Sequence, residues 1–327
     1  IEDQHGALER LQRFVAELSD RLTYDPFLSA SMHEVLSSVT AVRSASAILA
    51  DGGDISPEWQ ARFHRNLHED SKRLADAANG LVQYLDGAAS TSEGAALPQE
   101  EVEAWLDSKG WCIDALEDDP TIDPDVILDG SGLGRGAWAL ARSGLKRYAE
   151  DARALPITTF GPVAEAANGD PMEVAARTGV ALPVVLRRLA VAREGAPAAG
   201  LVICDASGTM TFRRAIDGFN LPRLAAACPL WPLFEALRQP MTPVRHLVEQ
   251  PGQRGHLFDC TAISEVRWPD GYDNASVVEA VMLIRAVDVS DRPARPIGSS
   301  CRICPRSSCA ARREPSILDD SQSRATL

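Results

Sequence analysis

The chain has 327 residues, 45% of them hydrophobic and 24% charged, the balance of a folded water-soluble protein and not of a disordered or membrane-embedded one. Its 33 Lys and Arg face 46 Asp and Glu, a net charge of −13, so the chain repels a phosphate backbone and is not itself expected to bind duplex DNA. No apolar run approaches the ~18–20 residues that span a bilayer, and no basic-then-apolar start reads as a secretory signal, so a cytoplasmic location is expected. Seven cysteines, an odd number in such a chain, argue against a disulfide framework and for metal binding. The start at Ile1 instead of Met reads as the loss of an N-terminal part.

From Ile1 to about Asp86 the pattern predicts long helices. Leu8, Leu11, Phe14, Val15, Leu18 and Leu22 recur at three- and four-residue spacing, the mark of one buried face. Pro26 breaks this pattern, and a second helix is predicted through Leu36, Val39, Val42, Ala45, Ile48 and Leu49. Asp51-Gly52-Gly53-Asp54 reads as a turn, and Ser56-Pro57 supplies an N-cap followed by proline at the first helical position. A third helix follows through Phe63, Leu67, Leu74, Leu81, Val82 and Leu85. Residues 1–90 are therefore expected to form an antiparallel helical hairpin whose apolar stripe pairs with a second copy, giving a homodimer. Residues 87–96, small and polar, read as a linker.

Residues 98–198 read as mostly helical, with helices opened by Asp170-Pro171 and Ala181-Leu182-Pro183. The texture changes at Gly200. Leu201–Cys204, a turn at Asp205–Gly208 and Thr209–Arg213 predict a β-hairpin. His256–Ala262 and Ser276–Arg285 are two further strand candidates. Residues 199–317 are thus expected to form a mainly antiparallel sheet domain with a helix starting near Cys228, and residues 318–327 a frayed tail.

Cys301, Cys304 and Cys309 fall in a C-x2-C-x4-C spacing, which lets one tight loop aim three sulfurs at a single centre. Thiolates are the ligands that iron–sulfur clusters require, and they also suit zinc. Three local ligands leave one wanting. Cys228 is the best candidate, because it lies beside Pro229 at a predicted helix start, where the helix end favours a thiolate. Arg302, Arg306, Arg312 and Arg313 surround the loop and would offset its negative charge. On the residues alone, a cluster, a structural zinc ion and unliganded thiols all stay open. Cys112, Cys204 and Cys260 lie in predicted helix or strand and read as core residues.

Cys228-Pro-Leu-Trp231, followed by Gly298-Ser-Ser-Cys301-Arg-Ile-Cys304-Pro-Arg-Ser-Ser-Cys309, resembles the C-terminal domain of the short-chain fatty acyl transcription regulators. Ile216-Asp-Gly-Phe219 and Arg223 stand at further matching positions. The resemblance is strongest from about Gly200 to Ile317 and weaker from Leu128 to Glu194. It implies an XRE-type helix-turn-helix at the start of the whole protein and a region that senses a short-chain acyl-CoA. It also implies a [4Fe–4S] cluster on Cys228, Cys301, Cys304 and Cys309. The sequence departs from the family in showing no helix-turn-helix, and it has no His-Glu-x-x-His that would make the middle region an enzyme.

Arginines supply candidate anion sites. Arg213 and Arg214 end the second hairpin strand, Arg223 follows, and Arg187, Arg188 and Arg193 close the preceding helix. Guanidinium groups bind phosphates in bidentate fashion, and an acyl-CoA presents several phosphates beside an apolar tail. Arg193, Arg213, Arg214 and Arg223 are the ligand-binding candidates, the alternative for each being ordinary surface charge.

Three other patterns carry competing readings. Ser31-Met-His33-Glu34 through Arg43 resembles the dimerisation helix of sensor histidine kinases, and Asp129–Gly136 resembles their glycine box. The asparagine-bearing helix and the Asp-x-Gly box are missing, which leaves phosphorylation of His33 as an alternative only. Gly132-x-Gly134-x-x-Ala137 after Val126-Ile-Leu128 also fits a dinucleotide-fold pattern, but without the βαβ unit it reads as a turn before a helix. His64 and His68 have metal-compatible spacing, yet Arg65, Glu69 and Asp70 beside them indicate a solvated helix face.

The sequence therefore points to an α+β protein, not an enzyme, that serves as the sensor portion of a bacterial transcription regulator. It would bind a short-chain acyl-CoA and a [4Fe–4S] cluster, touch no membrane, and reach DNA only through an N-terminal domain outside this chain. A histidine-kinase-like protein phosphorylated on His33 and a zinc-stapled interaction module are the alternatives.

Overall fold

The computed structural model describes residues 26–50, 56–90, 97–191, 195, 197–222, 226–250, 256–268, 271–287 and 292–316. The helix expected through Leu8 and Leu22 and the tail from 318 lie outside the described residues. Two compact units divide the chain. No described helix is long and apolar enough to cross a membrane.

One unit holds helices α1 (Pro26–Ala50) and α2 (Pro57–Ser90), which pack along each other. Phe63, Leu67 and Leu74 recur on the same face of α2 and are half-buried, while Ser38 and Ala45 of α1 are buried. Two helices enclose little: Leu36 stays 63% exposed and Trp59 53%. His33, His64 and His68 are all exposed. Helix α2 runs on to Ser90, so Gly87-Ala-Ala-Ser continues it instead of beginning a linker. Alanine is the best helix former, and here two of them offset one glycine.

The other unit opens with seven helices, α3 (Pro98–Ser108), α4 (Asp114–Asp118), α5 (Pro124–Leu128), α6 (Arg135–Ala154), α7 (Ile157–Ala166), α8 (Pro171–Thr178) and α9 (Leu182–Leu189). Proline in the first turn starts α3, α5, α8 and α9, and the carboxylates of Asp123 and Asp170 cap α5 and α8. Val126-Ile-Leu128 is the end of α5. The Asp123-Pro124 start signal outweighs the β preference of Val and Ile over so short a run.

The sheet that follows comprises β1 (Ala199–Asp205), β2 (Met210–Arg214), β3 (Val244–Glu249), β4 (Leu257–Arg267), β5 (Val277–Val287) and β6 (Arg295–Pro296), with α10 (Pro232–Arg238) between β2 and β3. Strand order is β2-β1-β5-β4-β3-β6, antiparallel throughout except for the β3–β6 pair. The predicted hairpin is β1–β2, and the two further strand candidates are β4 and β5. Successive side chains alternate between faces. Val202, Cys204, Cys260, Ala262, Met282 and Ile284 lie on one face with Phe219, Trp231 and Leu233. Leu201, Ile203, Ile263, Val281 and Leu283 lie on the other, against Phe160 of α7, Val174 of α8, and Val185 and Leu186 of α9. A third apolar cluster joins Trp105 of α3 and Leu116 of α4 to Ala141 and Leu145 of α6.

Polar anchors hold the helices to the sheet. Arg245 of β3 donates to both oxygens of Asp259 on β4 and, at 2.6 Å, to Asp170, the residue that caps α8. Arg285 of β5 donates to the same Asp259 at 3.0 Å and to the Gly169 carbonyl at 2.7 Å. Asp259 is thus the hub that fixes the α7–α8 turn on the sheet. Burial pushes its carboxyl up, but the hydrogen bonds and charge of Arg245, with those of Arg285, outweigh burial and hold it below the usual value. Asp170 is lowered too, by its backbone hydrogen bonds and Arg245 against a burial penalty.

Replacing Asp259 by Ala leaves two guanidinium groups without their shared acceptor and should cost about 3 kcal/mol, read as a lower urea midpoint. Because both carboxyls titrate below the unfolded value of about 3.9, their contribution is complete above roughly pH 4 and drains away as pH falls toward the folded values. Acid unfolding of Asp259→Asn should therefore be flatter below pH 4 than that of the parent, and an unchanged acid profile would contradict this assignment.

Candidate metal centre and anion site

The cysteine loop is brought to Cys228 by backbone pairing. Ala227 and Ser300 form an antiparallel bridge, and the Cys228 N–H donates to the Ser299 carbonyl at 2.8 Å. Cys228 does not begin a helix as expected, since α10 starts four residues later at Pro232. Its N–H is committed across to the loop, and its carbonyl accepts the Trp231 N–H at 3.1 Å in a turn. Trp231, fully buried, donates from Nε1 to the Gly298 carbonyl at 2.7 Å. Its ring lies edge-on to Phe219 with centroids 5.3 Å apart, and Phe219 meets Phe258 of β4 in the same way. The indole thus joins the apolar face of the sheet to the loop that carries the thiols.

Gly298 brings the backbone close to Cys304, and a side chain there would press on it. A Cβ there would lie 3.2 Å from the Cys304 sulfur and 3.4 Å from the Cys304 Cβ. Arg312 ties the loop from within, donating to the carbonyls of Cys301 at 3.2 Å, Cys304 at 3.4 Å, and Arg306. Arg313 reaches back to the carbonyls of Ala226 and Ala227, and Arg306 to that of Pro296 at 2.9 Å. The expected role of these arginines as counter-charges is joined by a second one, since three of them bond main-chain carbonyls.

Cys228, Cys301 and Cys304 are buried, and Cys309 is half-buried. All seven cysteines are free thiols. Burial pushes the Cys228 thiol up, hydrogen bonds from the Leu230 and Gly298 backbone draw it back, and the nearby Cys301 and Cys304 push it up again. Three of the four predicted ligands therefore share one neighbourhood. Among the described residues, however, no three His, Cys, Asp or Glu side chains are grouped closely enough to hold a metal ion. The residues fit a multi-sulfur centre in donor type and neighbourhood, and their sulfurs would have to draw together around it. Cys204 and Cys260 are core residues of β1 and β4, as expected, with burial raising Cys204 to about 12. Cys112, expected within helix or strand, sits in the turn after α3, its sulfur 3.8 Å from the Tyr148 hydroxyl.

The arginine candidates divide. Arg193 and Arg223 lie outside the described residues. Arg213 is buried, donating to Glu103 of α3 at 2.8 Å and to the Pro222 carbonyl at 3.0 Å. Arg187 is paired with Asp151 at 2.7 Å, and Arg188, 1% exposed, with both oxygens of Glu117. Arg214 is half-buried and lies over the ring of Trp111, 5.3 Å from its centroid. Burial pulls its guanidinium below the usual arginine value, with Asp107 acting the other way. Sequence reading passed over Trp111. The only hint is Lys109-Gly110, which marks a helix end but says nothing of what the next residue does.

Residues 190–325 match the family described as short-chain fatty acyl coenzyme A regulator, C-terminal. The chain is similar to the HTH-type transcriptional regulator RamB of Mycobacterium tuberculosis, 26% identical over 62% of this chain and 47% of the relative. It is also similar to the HTH-type transcriptional regulator PrpR of the same organism, 29% identical over 58% of this chain and 42% of the relative. The propionyl-CoA carboxylase regulator of Cereibacter sphaeroides is 29% identical over 55% of this chain and 42% of the relative. A solved structure, a Mycobacterium tuberculosis transcriptional regulator, aligns with TM-score 0.49 and 27% identity over 61% of this chain and 66% of the other. The chain spans less than half the length of these curated relatives, each of which is named as a regulator. Residues 190–325 thus match the short-chain fatty acyl coenzyme A regulator C-terminal model, and the chain is similar to these transcription regulators.

Proposed function

We propose that this chain is the sensor portion of a transcription regulator of short-chain acyl metabolism. In this reading it binds a short-chain acyl-CoA, holds a [4Fe–4S] cluster on Cys228, Cys301, Cys304 and Cys309, and controls a helix-turn-helix outside the chain. The observation that carries the reading is the family match over residues 190–325. Its physical support is the gathering of Cys228, Cys301 and Cys304 beside the sheet. A cluster, when bound, supplies a redox-active centre whose potential depends on charge and hydrogen bonding around its thiolates.

The protein's own residues do the rest. Arg312 and Arg313 fix the loop through main-chain carbonyls, so the thiols reach the centre from a pre-formed turn. Zinc is a second occupant of the same donor type, but it takes four ligands at about 2–2.3 Å and more often uses paired C-x2-C knuckles. One distant cysteine with C-x2-C-x4-C suits a cluster better. Acyl-CoA exerts control only by binding one of two arrangements of the regulator more tightly than the other. In this reading the two arrangements are those of a dimer. The apolar side chains that α1 and α2 leave exposed, Leu36, Val39 and Trp59, would be covered by the same helices of a second copy.

Calorimetric titration with acetyl-CoA and propionyl-CoA tests the ligand: saturable binding of at least one is expected, and no binding of either to metal-replete protein sinks that half of the proposal. Light scattering tests the assembly. Twice the chain mass is expected at micromolar concentration, falling to the chain mass in Leu36→Asp, whereas a monomeric parent would refute the dimer.

A further inference from the structure

We propose that Trp111 and Arg214 form the subsite that takes the phosphorylated nucleotide end of a coenzyme A thioester, a refinement that rests on the acyl-CoA reading. Five other arginines of the sheet unit are engaged by carboxylates, and Arg306, Arg312 and Arg313 by main-chain carbonyls. Arg187 has Asp151, Arg188 has Glu117, Arg213 has Glu103, and Arg245 and Arg285 share Asp259. Arg214 differs. Among the described residues no carboxylate hydrogen-bonds to it; its guanidinium lies over the Trp111 ring instead. Asp107, whose Oδ1 accepts Trp111 Nε1 at 2.9 Å, acts on it through space. A half-desolvated guanidinium with unspent N–H donors in a fixed fork matches a phosphate oxygen pair.

The backbone of Trp111 is the second observation. Helix α3 ends in a closed motif, with the Gly110 N–H on the Asp107 carbonyl at 2.8 Å and the Trp111 N–H on the Leu106 carbonyl at 2.9 Å. Gly110 takes the left-handed conformation such an ending needs, φ +64°. Trp111 then adopts φ +58°, a region that a bulky residue occupies only when its surroundings over-determine it. Three contacts do so here: Nε1 on Asp107, the guanidinium of Arg214, and Phe212, whose ring is edge-on with centroids 6.0 Å apart. Strain of this kind collects at ligand sites. Half-buried Trp111 pairs an aromatic face with a cation, the combination that binds bases by stacking and phosphates by charge. Among the described residues, strand β2, which carries Arg214, is the sheet's edge, with β1 as its strand neighbour.

The test uses the full chain and two probes: propionyl-CoA, and the propionyl thioester of N-acetylcysteamine, which carries the acyl tail without the nucleotide. Arg214→Gln and Trp111→Leu should each weaken propionyl-CoA by about tenfold or more, with no effect on the short thioester. Arg214→Lys, which keeps the charge but loses the fork, should weaken it less, and it serves as the deciding variant should Arg214→Gln fail to fold. Arg177→Gln, an exposed charge change on α8, should leave both affinities as they are. Parent-like binding of propionyl-CoA by folded Arg214 variants overturns the subsite while leaving the acyl-CoA reading intact. Absence of binding by the parent chain overturns the reading and the subsite together.

Discussion

Strand β5 is buried on both faces from Glu279 to Ile284, and the rest of the sheet unit is arranged to cover it. A central strand this apolar cannot leave either side to water. Helices α7, α8 and α9 cover one face with Phe160, Val174, Val185 and Leu186. Among the described residues, the other face has only the seven-residue α10 as regular cover, and the remainder comes from irregular chain that carries Phe219, Cys228, Trp231 and Ile297. Irregular chain has no repeating hydrogen-bond ladder of its own, so each buried N–H and carbonyl needs an individual partner.

The cross-links on that face answer this need. The Cys228–Ser299 hydrogen bond, the Trp231–Gly298 bond and the carbonyl contacts of Arg313 join segments far apart in sequence, while Arg306 and Arg312 tie the loop within itself. Each is individually modest. A thiolate-bound centre joining Cys228 to Cys301, Cys304 and Cys309 would add strong bonds across the same gap, where backbone regularity is poorest. The helical face is held differently, through Asp259, Arg245, Arg285 and the Asp170 cap around an apolar core. One face is thus fixed by ion pairs and apolar packing, and the other by main-chain hydrogen bonds around clustered thiols.

Much of this was legible in the sequence. The two strands of the hairpin, the long strands β4 and β5, and the proline-headed helices α8 and α9 follow from alternation and start signals that act locally. The C-x2-C-x4-C spacing marked the loop, and Cys228 was expected as its distant partner at a helix start; it lies beside the loop instead through its bond to Ser299 and the neighbouring Ala227–Ser300 bridge. Gly87-Ala-Ala-Ser misled because alanines serve helix and linker alike. What could not be read was pairing across long distances. Arg213 and Arg214 are identical neighbours in sequence, yet Glu103 lies 110 residues from the first and takes it, leaving the second on Trp111. No local pattern encodes that choice, because it is made when α3 lies against β2.

The measurement that tests the central claim most directly is an absorbance spectrum of anaerobically purified protein with iron, sulfide and zinc analysis. The account predicts a brown protein with broad absorbance near ~400 nm and about four irons and four sulfides per chain, lost in Cys301→Ser. A colourless protein, with about one zinc or with no metal at all, would contradict it.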